Sequence, residues 1–166
     1  MTELTKLKSK ADLWWQERRG FVEGFLRHPM FVLLGVRASQ PDAQTVHLKL
    51  PWGRPQKIMA AEIPMALLIG SAEMALQLHL RQFQIYSPST AHVLGAELDL
   101  QSPLAEAVEI RIKSSWPEWE ELRLDLARNE TVEREYVIPL WNAAGRTLGS
   151  VKIRVSLRTQ GYLQLT

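Results

Sequence analysis

Glu73 is the residue of this sequence whose type and setting best suit chemistry. It is the single formal charge between Glu62 and Arg81, in a stretch of otherwise mostly apolar and small residues. A carboxylate in such a setting can act as an acid or a base, or it can pair with a nearby side chain such as Arg111 or His79. Glu73 could also lie at a hydrated contact between subunits, where water would bind its carboxylate. The residues alone leave these interpretations open.

Other reactive side chains form weaker patterns. The chain contains no cysteine, which excludes disulfides, thiolate metal sites and cysteine nucleophiles. His28, His47 and His92 do not have the spacing of a metal site, so we expect no metal and no cofactor. Ser71 lies two residues from Glu73, but the partners of a Ser-His-Asp set cannot be named. Four basic side chains could bind phosphate groups, although most such charges are solvated: Arg54, Lys57, Arg81 and Arg146.

The composition is that of an ordinary globular domain. The chain has 166 residues, of which 46% are hydrophobic and 23% are charged, which suffices for one domain with a full core. The net charge is +2 and both signs are interspersed, so we expect no nucleic-acid partner. Residues 1–12 do not contain the apolar core of a secretory signal, and we expect a cytoplasmic protein.

Residues 63–83 predict a buried central helix. They are mostly strong helix formers, and Pro64 suits the first turn, where a missing N–H costs nothing. Apolar residues lie on every face, which is typical of a helix that is buried on most sides. The length would nearly suit a membrane span, but four polar side chains argue against one. They are Glu73, Gln77, His79 and Arg81.

The N-terminal part of the chain predicts a helical extension over residues 1–28, followed by a main domain over 29–166. Within residues 3–27, apolar side chains recur at spacings of three and four, and Pro29 would end the helix. We expect the apolar stripe to pack on the domain or on a partner subunit. A basic helix that carries tryptophan could instead lie on an anionic membrane surface.

The remaining segments predict strands. Residues 45–50 alternate between apolar and polar side chains, and residues 40–43 are expected to form a turn before them. After the central helix, alternation predicts strands over 93–101, 108–113, 122–126, 133–140 and 151–158, with a loop at 116–119. The predicted fold is therefore α+β, with a curved antiparallel sheet around one long helix.

Three segments resemble the hot-dog fold of acyl-CoA thioesterases. The helix 64–80 carries its single acid two-thirds of the way along, as the central helix of that family does. Residues 98–103 resemble the strand and proline turn that follow, and residues 138–149 resemble the final hairpin. The segments RHPMFVLLGVR and VHLKLPW are most similar to a little-characterised bacterial branch of this superfamily. The resemblance covers about residues 30–158.

The resemblance implies a set of site residues. In that family an acid on the central helix activates water against a thioester, and backbone N–H groups at the helix start polarise the carbonyl. By position the acid is Glu73. Substrate contacts would come from backbone N–H groups before the helix, a glycine one turn before Glu73, and two basic side chains in the preceding loop. These residues are Ala60 and Ala61, Gly70, and Arg54 and Lys57.

The resemblance also implies a homodimer that binds an acyl-CoA-like small molecule, because the pocket of that family is built from two chains. Family members commonly begin the helix with a His-Gly-Gly turn, where this chain has Pro64-Met65-Ala66. Pro64 cannot donate an N–H. Two functions therefore remain: an acyl-CoA or acyl-carrier thioesterase for medium or long chains, or a non-catalytic acyl-ligand or lipid-binding module.

Overall fold

The computed structural model describes residues 34–53 and 62–159. The predicted N-terminal helix over residues 3–27 lies outside these ranges. The helices and strands are β1 (Arg37–Asp42), β2 (Thr45–Leu50), α1 (Met65–Tyr86), β3 (Ser89–Leu100), β4 (Val108–Lys113), α2 (Trp116–Asn129), β5 (Thr131–Trp141) and β6 (Thr147–Thr159). Among the described residues, no helix is both long and apolar enough to cross a membrane.

The strands form one six-stranded sheet in the order β1-β2-β4-β5-β6-β3, and all neighbours are antiparallel. The predicted antiparallel sheet is therefore confirmed. Strands β5 and β6 pair along nearly their whole length, whereas β4 and β5 pair only through Glu109 with Trp141 and Ile110 with Leu140. Beyond these two pairs, β4 and β5 are no longer paired with each other. Strands β1 and β3 form the two edges of the sheet.

Helix α1 is the predicted central helix, and it packs on the apolar face of the sheet. Its buried positions occur on most sides of the helix and include Leu68, Met74 and Phe83. They pack with the inward side chains of the strands, such as Leu48 and Ile153, into one core. Burial of this many large apolar side chains supplies the main stabilising free energy of the domain.

Residues 116–129 form helix α2, so the predicted loop at 116–119 and the predicted strand at 122–126 are wrong. The alternation of leucines suggested a strand, but Trp119, Leu122 and Leu126 are buried at helical spacings of three and four. Leu124, which the strand interpretation placed on the same face, is 40% exposed. A capping box between Ser115 and Glu118 starts the helix and decides between the two patterns.

The turn before β2 also differs from the prediction. The segment 40–42 belongs to β1, and the turn consists of Ala43 and Gln44. The Asp42 Oδ1 atom accepts a hydrogen bond from the Gln44 N–H at 2.9 Å, which closes the turn. Pro41 is tolerated in β1 because β1 is an edge strand and needs no N–H on its outer side.

Candidate functional site

Glu73 lies on the one strip of α1 that the sheet does not cover. Ile69, Gly70, Glu73, Gln77 and Arg81 are partly exposed, whereas most of the residues between them are buried. Spacings of three and four residues place these side chains on one face of the helix. The strip therefore presents one carboxylate, with Ile69 and Gly70 one turn before it and Gln77 and Arg81 after it.

The Glu73 carboxylate has a neutral partner. The Gln77 Nε2 atom donates a hydrogen bond to Glu73 Oε1 at 3.1 Å, one turn further along the strip. Arg111 and His79, the side chains that could have paired with Glu73 in a structural role, contact other residues. Arg111 donates to Glu109 at 2.7 Å, and His79 Nε2 lies 2.8 Å from Ser114 Oγ. Glu73 is thus held by an amide, and its carboxylate lies where it can contact a substrate or water.

The first turn of α1 contains no acidic residue, and Pro64 makes no side-chain capping hydrogen bond. Pro64 is the N-cap, and its carbonyl accepts from the N–H groups of Leu67 at 2.9 Å and Leu68 at 3.3 Å. Met65 is 67% exposed at the helix start. The partial positive charge of a helix N-terminus is therefore not neutralised here by a side chain of the first turn, and it suits a developing oxyanion.

Glu73 and the N-terminal end of α1 belong to the same helix but are far apart along its axis. Eight residues separate Met65 from Glu73, which is about 12 Å along the helix axis. One thioester carbonyl cannot contact both positions of the same chain. Either the donors come from another segment, or the two groups act in a site that two chains share.

The other predicted substrate-binding residues cannot be placed beside Glu73. Arg54, Lys57, Ala60 and Ala61 all lie outside the described residues. Gly70 is on the partly exposed strip, as described above. Among the described residues, no group of three acidic or histidine side chains could hold a metal ion.

The structure brings together a pair that sequence reasoning missed. His79 is 1% exposed and lies against Ser114 and the Trp119 ring, whose centroid is 5.7 Å from that of the imidazole. Burial lowers the pKa of His79 to about 4, so the imidazole is neutral at pH 7. No local pattern could reveal this pair, because 35 residues separate its members.

Solved structures with the same architecture are found in several bacteria. A Pseudomonas aeruginosa protein of unknown function, described as a "probable thioesterase", superposes with a TM-score of 0.69 at 14% identity. The match covers 79% of this chain and 87% of that chain. This chain has the hot-dog fold. The predicted fold class is therefore confirmed, including the long helix within a curved antiparallel sheet.

Two further hot-dog structures are similar to this chain. A mutant thioesterase from Pseudomonas aeruginosa gives a TM-score of 0.60 at 10% identity, with 84% of this chain and 94% of that chain covered. A thioesterase from Haemophilus influenzae gives a TM-score of 0.51 at 12% identity, with 81% and 86% covered. No protein-family model and no curated protein matches the sequence.

Proposed function

We propose that the protein is an acyl-CoA or acyl-carrier thioesterase in which Glu73 is the general base. The observation that carries this proposal is the position of Glu73 on the uncovered strip of α1, where the Gln77 amide donates a hydrogen bond to its carboxylate. Ile69 and Gly70, at the apolar end of this strip, would contact a medium or long acyl chain, and the carboxylate would lie where a bound thioester passes it. The hot-dog structures described as thioesterases support the same function.

The proposed reaction is the hydrolysis of a thioester to a carboxylic acid and a thiol. Glu73 takes a proton from water, and the water oxygen attacks the thioester carbonyl carbon. Backbone N–H groups at the start of α1 stabilise the oxyanion that forms. The carbon–sulfur bond then breaks, and Glu73 returns the proton to the thiolate. Gln77 holds the carboxylate in position through its side-chain amide.

We propose that the site is completed by a second copy of the chain. The separation of about 12 Å between Glu73 and the α1 start is too long for one carbonyl, but a partner subunit can bring its own helix start to Glu73. The partner would join along β3, the long edge strand of the sheet. The N–H groups near Ala60 and Ala61, the close approach at Gly70 and the charges of Arg54 and Lys57 would serve the same bound acyl-CoA.

The test is the replacement Glu73→Gln, assayed with a panel of acyl-CoA substrates and detection of the released thiol. We expect turnover to fall by about 10²–10⁴-fold, because a positioned general base contributes this much. Substrate binding and the circular dichroism spectrum should change little, since glutamine preserves the shape. The matched control is Glu106→Gln, which removes an exposed carboxylate from a loop and should leave turnover unchanged.

A second candidate function is a non-catalytic module that binds acyl ligands. The helix start favours it, because Pro64 has no N–H where the thioesterase family commonly has a donor-rich turn. Calorimetry with an acyl-CoA separates the two functions. Binding without hydrolysis, by both the native protein and the Glu73→Gln variant, would establish the module and overturn the thioesterase.

A further inference from the structure

A hollow lies where strands β4 and β5 separate. Their pairing stops at Ile110 and Leu140, and helix α2 connects the two strands in the chain. Residues of β4, β5 and α2 line the hollow together, and its volume is about 330 Å³. This volume is at the lower end of the range for sites that bind small molecules. A ligand in the hollow would contact all three elements.

Some of the charged side chains that line the hollow already have partners in the protein. Arg134 contacts the Asp125 carboxylate, and Arg134 Nη2 lies 3.7 Å from Glu121 Oε1. The Glu118 carboxylate accepts a hydrogen bond from the Ser115 N–H at the start of α2. These groups are one cation against three carboxylates, so they give the hollow an excess of negative charge that a bound ammonium group would reduce.

Two other charged side chains of the hollow have no such partner. Lys113 ends β4, and Glu135 lies on β5, so they belong to opposite walls of the split. Both side chains are exposed, and neither has a hydrogen-bond or ion-pair partner among the described residues. One positive and one negative group are therefore available to a ligand from opposite sides.

The contact between His79 and Ser114 adds a hydrogen-bond donor to the hollow. His79 Nε2 lies 2.8 Å from Ser114 Oγ, whereas Nδ1 is buried without a partner among the described residues. A buried N–H without a partner is rarer in proteins than an unpaired acceptor, so we assign the imidazole proton to Nε2, which donates to Ser114 Oγ. The Ser114 hydroxyl keeps its own hydrogen, and this residue lines the hollow.

The rest of the lining combines a hydroxyl with apolar side chains. Burial raises the pKa of Tyr136 to about 12, so its hydroxyl is neutral at pH 7 and can donate. It has no hydrogen-bond partner among the described residues. Trp119 and Leu122 are buried, and Val137 is 57% exposed. The hollow therefore suits a small ligand that has both charged groups and an apolar part.

We propose that the hollow binds a free α-amino acid with an apolar side chain. The Lys113 ammonium and the Ser114 hydroxyl would donate to the ligand carboxylate, and the Glu135 carboxylate would accept from its α-ammonium group. The ligand side chain would contact Trp119 and Val137. The hollow includes no residue of the α1 strip that carries the proposed general base, so this inference is independent of the thioesterase proposal.

The experiment is a titration of the full chain with L-leucine, followed by the NMR signals of the backbone amides. The test variants are Lys113→Gln and Glu135→Gln, and each should bind leucine about tenfold more weakly because it removes one charge-assisted hydrogen bond. The matched controls are Lys152→Gln and Glu133→Gln. Both control residues are exposed on strands of the same sheet and lie outside the hollow, so their affinities should stay within about twofold of the native value.

Two analogues of leucine test each charge of the ligand separately. L-leucine amide keeps only the ammonium group and 4-methylpentanoate keeps only the carboxylate, so each should bind about tenfold more weakly than leucine. Leucine amide that binds as tightly as leucine would overturn the proposal in favour of an organic cation, and 4-methylpentanoate that does so would favour an anion. Equal weakening in test and control variants, or no saturable shift at the hollow up to about 10 mM leucine, would exclude an amino-acid site.

Discussion

At the scale of single residues, His79 is the group whose burial most changes its chemistry. It lies in the core between α1 and α2, where only Ser114 contacts one of its ring nitrogens, and Nδ1 has no hydrogen-bond partner among the described residues. Burial lowers the pKa of His79 from 6.5 to about 4. The unfolded chain therefore binds a proton at this residue between about pH 6.5 and pH 4, while the folded chain does not.

This difference predicts how stability changes with pH. Because the folded pKa of His79 is lowered, the free energy of unfolding should fall as pH falls from about 6.5 toward about 4, by about 2–4 kcal/mol. In His79→Gln, the slope of stability against pH should nearly disappear between about pH 5 and pH 7, above the range of ordinary carboxylates. Urea unfolding across this range measures it. The control His92→Gln removes an exposed histidine, and an equal loss of slope there would contradict the prediction.

At the scale of elements, the sequence predicted α1 and most strands but not α2. The α1 signal is local: a long run of helix formers with little charge and a proline at its start. In α2, the leucines at 122, 124 and 126 fit a strand, and only burial on one face shows which spacing applies. The segment Ser115-Trp116-Pro117-Glu118 could have revealed the helix, because it has a capping-box pattern with an early proline.

The capping box gives a prediction for α2. Ser115 Oγ accepts from the Glu118 N–H at 3.4 Å, and the Glu118 carboxylate accepts from the Ser115 N–H. Ser115→Ala removes the first of these hydrogen bonds, and we expect the free energy of unfolding to fall by about 1 kcal/mol. The control Ser102→Ala changes an exposed serine in the loop after β3. Urea unfolding that shows the same small loss in both variants would mean that the cap does not stabilise α2.

The candidate site was predictable only in part, because its parts depend on different ranges of the chain. Glu73 could be singled out from its neighbours alone, since a charge in an apolar run is visible in the sequence. Its hydrogen bond to Gln77 joins residues one helical turn apart, so it could be expected from the same stretch of sequence. The pairs His79 with Ser114 and Lys49 with Glu109 join residues 35 and 60 positions apart. Only the register of the sheet and the path of the helices bring such residues together.

At the scale of the whole molecule, the two edges of the sheet differ in how well they are protected. Strand β1 has only six residues and contains Pro41, which has no N–H to donate to a partner strand, and this discourages pairing with another chain. Strand β3 has twelve residues, and Val93 and Leu94 near its centre are exposed. A long edge with exposed apolar side chains is the better place for a partner strand, so the proposed dimer should join along β3.

The symmetry of such a dimer makes Leu94 the decisive position. When two copies of β3 pair antiparallel about a two-fold axis, residues near the middle of the strand face their own copies, and Leu94 lies at the middle of Ser89–Leu100. Leu94→Lys would place two like charges at the axis. We expect the native chain to sediment as a dimer at micromolar concentration and this variant to sediment mainly as a monomer.

Catalysis should follow the oligomeric state, because Glu73 and the start of α1 are too far apart in one chain to act on one carbonyl. Leu94→Lys should therefore lose thioester hydrolysis together with the dimer, while its circular dichroism spectrum is retained. The control Leu124→Lys changes a leucine of similar exposure on α2 and should remain dimeric and active. A native chain that is monomeric yet hydrolyses acyl-CoA would contradict the shared site, and the donors for the oxyanion would then have to come from the same chain as Glu73.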